Sequence, residues 1–318
     1  MKHNFSFDPT HGYTPHQMRA IVPPIGPADF DDFWQETWRA TKAEPLALTT
    51  TELKSDSPAH RVFEVHYRTL AGVAAGAWLV LPKDRPARMA AVMGHGYGAG
   101  LLPVYPNRDA AHLFTCAPGF YLSAQPGLPD TVAEHVVHGL ASRETYLIRH
   151  CVANLWSAAW VMQQLVPVAN DLLVYMGGSF GGGLGALALP WEPLFRRGSL
   201  TVPTFGHQEL RLTLPCEGSG SSVQKYVKTH PEAVSVLRYF DAATAARRIQ
   251  IPVLCAPAHF DPAVPPAGQM AVANALRETG HIVEISAGHF EHPELPAEMA
   301  ALDRLTEKFF WAEAPLWT

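Results

Sequence analysis

The chain has 318 residues, 47% of them apolar and 17% charged, enough material for one large core or two modest ones. Its 24 basic and 29 acidic residues leave a formal charge of −5, and no stretch gathers Lys and Arg into the footprint that nucleic acid or an anionic membrane requires. The N-terminal MKHNFSFDPTHGY lacks the basic-then-apolar order of a targeting segment and no run is as long as a membrane span, so a soluble cytoplasmic protein is expected.

Residues 1–45 read as an arm and helix packed on the main body. In ADFDDFWQETWRAT, Asp29 or Asp31 can cap a helix that buries Phe33, Trp34 and Trp38 on one side, with Phe30 near its start. RVFEVHYRT, GAWLVLP and MAAVMGH, rich in Val, Leu and aromatics and separated by turn residues, are strand candidates. A Gly- and Pro-rich crossing leads to a short buried strand, HLFTCAP, and then to a polar loop from Gly119 to about Gly139. Loops of that length commonly shape a site or an interface.

In RETYLIRHCVANLWSAAWVMQQL the apolar positions Leu147, Cys151, Leu155, Ala158, Met162 and Leu165 are spaced by three and four, which predicts an amphipathic helix. Strand LLVYM, strand SLTVPTF, a helical stretch around 221–247, strand IPVLCAP, helix PPAGQMAVANALRETG, strand HIVEIS and a closing helix LPAEMAALDRLTEKFFWAE come next. This alternation predicts a single α/β domain over 1–318, with a mostly parallel sheet covered by helices on both faces and the first strands antiparallel at one edge. Cys116, Cys151, Cys216 and Cys255 lie far apart and read as buried free thiols, not as a zinc site or a disulfide framework.

The chemistry-bearing stretch is Gly177-Gly178-Ser179-Phe180-Gly181, between strand LLVYM and a small-residue helix. It matches G-x-S-x-G, a sharp strand-to-helix turn in which side chains two before and two after the serine would clash. The turn holds the hydroxyl clear of the sheet and leaves the Phe180 amide free to meet a developing oxyanion. A close-packed glycine turn or a loose G-x-G-x-x-G phosphate cradle is the plainer alternative. Against these stands the order of two later residues, Asp261 after strand IPVLCAP and His289 after strand HIVEIS, which completes the Ser, acid, His sequence of this kind of sheet.

In that reading His289 takes the proton from Ser179 and Asp261 holds the imidazole. Gly94-His95-Gly96-Tyr97-Gly98, after strand MAAVM, offers a second oxyanion donor, an amide or the Tyr97 hydroxyl. Phe120, Phe205, His207 and Phe290 are candidate walls of the pocket for a small-molecule ester. Asp241 reads as the N-cap of DAATAARR. The His289-Phe290-Glu291-His292 run and the pair His135 and His138 do not match a metal-ligand spacing, so neither metal nor cofactor is expected.

Taken over nearly its whole length, the chain resembles carbohydrate esterase family 7, the acetyl xylan esterases and cephalosporin-C deacetylases. The resemblance is carried by ADFDDFWQETW, AGAWLVLPKD, HGYGAG, SRETYLIRHCVANLWSAAWVMQQL, GGSFGGGLGALAL and YFDAATAARRIQIPVLCAPAHFDPAVPP, and by the final Gly-His. It implies an α/β-hydrolase fold, Ser179, Asp261 and His289 as the triad, Tyr97 and the Phe180 amide as the oxyanion hole, removal of acetyl groups from small substrates, and assembly as a homo-oligomer of six. The sequence departs from the family where Gln is expected after the nucleophile and Phe180 stands, where Arg-Gly-Gln is expected and Pro118-Gly119-Phe120 stands, and where Phe290 interrupts a His-Glu pair. New phenylalanines make the surroundings more apolar and point away from xylan itself, toward a small acetyl or short-acyl ester. Two other readings share these motifs: a peptidase of the prolyl-oligopeptidase kind, whose elbow often carries an aromatic residue after the serine, and a hydrolase-fold binding protein that is catalytically idle.

Overall fold

Short apolar runs bounded by turn residues form the strands. The computed structural model describes residues 1–97 and 109–312; the last three residues of HGYGAG, Gly98 among them, and most of the Gly- and Pro-rich crossing lie outside the described residues. In chain order the strands are β1 (Thr49–Leu53), β2 (His60–Arg68), β3 (Ala74–Pro82), β4 (Met89–Gly94), β5 (Ala110–Thr115), β6 (Leu173–Gly178), β7 (Phe195–Thr201), β8 (Val253–Ala256), β9 (Ala258–Phe260), β10 (Gly280–Ile282) and β11 (Ile285–Ala287).

Nine of these form one sheet in the order β1-β2-β3-β5-β4-β6-β7-β8-β10. β1, β2, β3 and β5 pair antiparallel, and every pairing from β5 through β4 to β10 is parallel. A mostly parallel sheet of this kind must be covered on both faces, which explains the near-continuous burial of β4, β5 and β6. Strands and helices thus alternate as the sequence predicts, around a mostly parallel sheet whose first strands are antiparallel at one edge.

Three local expectations are corrected. The helix Leu147–Leu165 buries 14 of its 19 residues, so it is a central element packed nearly all round and not an amphipathic one. Its polar side chains are paired accordingly: Tyr67 donates to Asn154 at 2.8 Å, and Asn154 donates to the Cys116 carbonyl at 3.0 Å. SLTVPTF is strand only to Thr201; β7 starts earlier, at Phe195, and Val202 and Phe205 take positive φ beyond its end. HIVEIS is two strands, β10 at the sheet edge and β11, which leaves that sheet to pair with β9. Between them Glu284 is drawn to Arg19 at 2.6 Å and His259 at 2.8 Å.

The N-terminal helix Phe30–Ala43 buries Phe30, Phe33 and Trp34. Trp38 is only partly buried and donates from Nε1 to Glu192 at 3.0 Å. Asp29 does not cap the helix with its side chain. It accepts from the Tyr239 hydroxyl at 2.6 Å and the Arg143 guanidinium at 2.7 Å, while Asp31 pairs with Arg248. Trp34 is fully buried, stands edge-on to Trp156 and Phe240, and donates to the Tyr239 carbonyl at 2.9 Å. Through Trp34 the arm shares the core of the main body. Trp34→Ala is therefore expected to cost about 3–5 kcal/mol of unfolding free energy, read from urea midpoints, with arm and body still unfolding in one transition.

Candidate functional site

Ser179 stands between the end of β6 and the helix Phe180–Ala188, with φ 54° and ψ −113°. That backbone is strained for any side chain, and its surroundings hold it: the Ser179 N–H donates to Thr201 at 2.8 Å, and the Thr204 N–H donates to the Ser179 carbonyl at 3.1 Å. The flanking glycines are required by contact. A Cβ on Gly181 would lie 2.4 Å from the Gly94 carbonyl oxygen, and one on Gly177 would lie 2.6 Å from the Gly181 carbonyl.

Asp261 and His289 come from the small sheet. β9 and β11 run parallel with Phe260 opposite Ala287, so the residues just past their ends emerge side by side. Gly288 permits the approach, since a Cβ there would lie 2.4 Å from Asp261 Oδ2. The Ser179 hydroxyl donates to His289 Nε2 at 3.0 Å, and His289 Nδ1–H donates to Asp261 Oδ2 at 2.8 Å. The other carboxylate oxygen accepts from the Ala263 and Val264 amides, each at 2.9 Å.

Asp261 is fully buried, which makes its negative charge the dominant local field. Burial by itself lowers the pKa of His289, but the hydrogen bond and charge of Asp261 outweigh it and leave it raised. Such a chain can pass the hydroxyl proton to the imidazole and hold the resulting cation.

Phe180 opens the helix, so its N–H has no intrahelical partner. The loop after β4 runs beside it: a Cβ on Gly96 would sit 3.6 Å from Ser179 Cβ. The Tyr97 ring stacks on Phe180 at 3.8 Å, and its hydroxyl donates to His135 Nδ1 at 2.7 Å. His135 donates its one ring proton, on Nε2, to the Pro118 carbonyl at 2.9 Å, and burial lowers its pKa to about 4. His95, also buried and lowered, lies between the Gly96 carbonyl and the Ala117 amide, each at 3.0 Å. The phenol is thus committed to a neutral histidine.

A cavity of about 500 Å³ opens over Ser179 and His289. Tyr97, Phe180, Val132, Ala133 and Val264 supply apolar wall; Ser219, Ser221, Ser222 and Lys225, on the helix Ser219–Thr229, supply polar wall. The long loop after Gly119 thus contributes to this chain's own cavity, through the short helix Val132–His135. The four candidate wall residues lie elsewhere. Phe120 lines a neighbouring recess of about 380 Å³ and packs on His135 with ring centres 4.6 Å apart. Phe205 is buried edge-on to Phe180 at 6.0 Å. Phe290 packs on Phe260 and Phe5 at 4.9 and 6.0 Å. His207 accepts from the Leu210 amide in a separate cleft beside Pro24 and Asp241. Asp241 caps its helix by accepting from the Thr244 amide at 2.9 Å. Missed from sequence were the 219–225 wall, whose only signal was the small polar run SGSS, and Gln269 behind Asp261. Among the described residues no group of three or more metal-binding side chains converges and no helix is long and apolar enough to cross a membrane.

Residues 16–302 match the family model for acetyl xylan esterase (AXE1). Among solved structures, acetyl xylan esterase 1 from Thermoanaerobacterium sp. JW/SL YS485 superposes with a TM-score of 0.81 at 19% identity, covering 94% of this chain and 99% of that one. The acetyl xylan esterase from Paenibacillus sp. R4 gives 0.78 at 22% identity, over 93% and 99%. An acylaminoacyl peptidase from Pyrococcus horikoshii gives 0.57 at 13% identity, over 87% of this chain and 43% of that one.

The glycine contacts yield a paired expectation. Gly181→Ala drives a methyl into the Gly94 backbone and should cost about 1–3 kcal/mol or more, with loss of soluble folded protein. Gly178→Ala places its methyl 3.8 Å from the Thr201 carbonyl, an ordinary contact, and should be tolerated. Thermal melts of the two variants make the comparison.

Proposed function

The chain belongs to the acetyl xylan esterase family, and from that premise we propose that it is a serine carboxylesterase that removes acetyl or other short acyl groups from small esters through an acyl-enzyme. The observation that carries this reading is the continuous hydrogen-bond chain from Ser179 through His289 to a buried Asp261, at 3.0 and 2.8 Å.

Ser179 Oγ attacks the ester carbonyl carbon while its proton passes to His289 Nε2. The tetrahedral oxyanion is met by the Phe180 amide at the helix N-terminus and by the Tyr97 amide. As the C–O bond breaks, the imidazolium gives its proton to the departing alcohol and leaves an acyl-serine. Water then attacks that ester, with His289 again taking and returning the proton, and the carboxylic acid departs. The apolar side of the cavity suits a short acyl chain; the hydroxyls of Ser219, Ser221 and Ser222 suit a polar alcohol half such as an acetylated sugar.

Three outcomes test this reading. Wild-type protein should hydrolyse p-nitrophenyl acetate faster than the butyrate and leave aminoacyl anilides intact, and Ser179→Ala should lose about 10⁴-fold or more; anilide cleavage would support a peptidase, and silence with no fluorophosphonate labelling an idle fold. Because His289 works as a neutral base, kcat/KM should fall as pH drops through its raised pKa, with a midpoint above 6.5. Tyr97→Phe keeps the amide and loses only the bond to His135, so its kcat should stay within about fivefold of wild type, where loss of an oxyanion donor costs about 100- to 1,000-fold.

A further inference from the structure

Gln269 sits in the helix Pro266–Ala275 among Ala267, Met270 and Ala271, and none of its surface is exposed. A fully buried glutamine needs a partner for each polar atom, and all of its partners lie around the acid. Its Nε2 donates to Asp261 Oδ2 at 2.8 Å and to the Val264 carbonyl at 2.7 Å, and its Oε1 accepts from the Ala258 amide at 2.8 Å. Asp261 Oδ2 therefore accepts from two side chains at once, His289 and Gln269.

We propose that Gln269 is a positioning residue that fixes the Asp261 carboxylate toward His289 and, by sharing the same oxygen, limits how strongly that carboxylate holds a proton on the imidazole. The inference rests on the serine-esterase reading of the site. Its first part is geometric: Oδ1 is tied by the Ala263 and Val264 amides and Oδ2 by Gln269, so the plane of the carboxylate is set before His289 arrives. Its second part is electrostatic. A donor on Oδ2 draws density from the oxygen that faces Nδ1–H and weakens the pull of Asp261 on the imidazolium. Without it the imidazole would stay protonated to higher pH and be a poorer base near neutrality. Other titratable groups around the pair are Glu217 and Lys225 across the cavity, Tyr97 on the loop after β4, and Cys216, whose thiol lies in the field of Asp261. None of them bonds that oxygen among the described residues.

The test is Gln269→Met, which keeps the volume and removes the donor, with Gln269→Leu as a second form should the first fold poorly. After active-site titration with a fluorophosphonate, the acid-limb midpoint of kcat/KM should rise by roughly half a pH unit or more, with KM nearly unchanged. An unchanged midpoint in active variant enzyme overturns the proposal, because a merely structural role lowers melting temperature and active fraction without moving a midpoint. In wild-type protein the Gln269 side-chain amide protons should shift in NMR spectra through the same midpoint as kcat/KM; protons that ignore the titration of His289 also overturn it. Failure of the esterase reading looks different: wild-type enzyme that neither turns over esters nor labels at Ser179.

Discussion

The site depends on two backbones that touch without a side chain between them. β4 and β6 run in register with Gly94 opposite Gly177, and the helix after Ser179 is seated against both strand ends at Gly181. Tyr175 closes the contact by donating to the Gly181 carbonyl at 2.6 Å. The local backbone of Ser179 follows from that approach. The chain can turn through φ 54° at Ser179, the Phe180 amide is left at the mouth of the cavity, and the loop after β4 is brought to its side. A backbone strain of this kind costs about 1–3 kcal/mol, and the surrounding sheet over-determines it.

Two of the positions that depart from the resembled pattern, Phe180 and Phe120, gather into one aromatic layer beside Ser179. Phe180 stacks on Tyr97, and Phe120 packs on His135 and edge-on to His95. Where glutamines would bring amides, these positions bring apolar rings. Burial then lowers the pKa of His95 and His135 and pushes the Tyr97 phenol well above its ordinary range, so that all three groups of the layer favour their neutral forms. Main-chain dipoles act more strongly in such surroundings than in water. The aromatic layer leaves the hydrogen-bond chain of Ser179, His289 and Asp261 intact.

What could be read from the sequence was whatever a strand end signals locally. Ser179, Asp261 and His289 each come after an apolar run and obey a fixed order, so their convergence was legible without knowing the sheet. The partner of the Tyr97 hydroxyl was not, because His135 arrives from a loop 38 positions away. Phe120, Phe205 and Phe290 stand in or just after stretches that carry the motifs, yet composition does not say toward which side of a turn a ring points. β1 was missed because TTTEL at a sheet edge is almost wholly exposed and shows no alternation. HIVEIS looked continuous because the bonds that break it come from Arg19 and His259, far away in sequence. Gln269 carried a signal of its own: a fully buried long polar side chain in a helix that is apolar or glycine apart from it and Asn274.

Ser179 and the pair Asp261 and His289 belong to different sheets, and this division gives meaning to the N-terminal segment. Ser179 is fixed by the nine-stranded sheet, whereas Asp261 and His289 ride on the two-stranded one. The small sheet would be poorly anchored by two three-residue strands alone. It is covered by residues 3–11: His3 packs on Phe260 at 5.4 Å, Phe5 on Phe290 at 6.0 Å, and the Asp261 amide donates to the Pro9 carbonyl at 3.4 Å. The next helix, Pro15–Arg19, adds the Arg19 pair with Glu284 at the break before β11. Phe290, set directly after the base, is therefore explained as the ring on which this segment is held. Contacts that start at the third residue of the chain thus brace the strand ends from which Asp261 and His289 project.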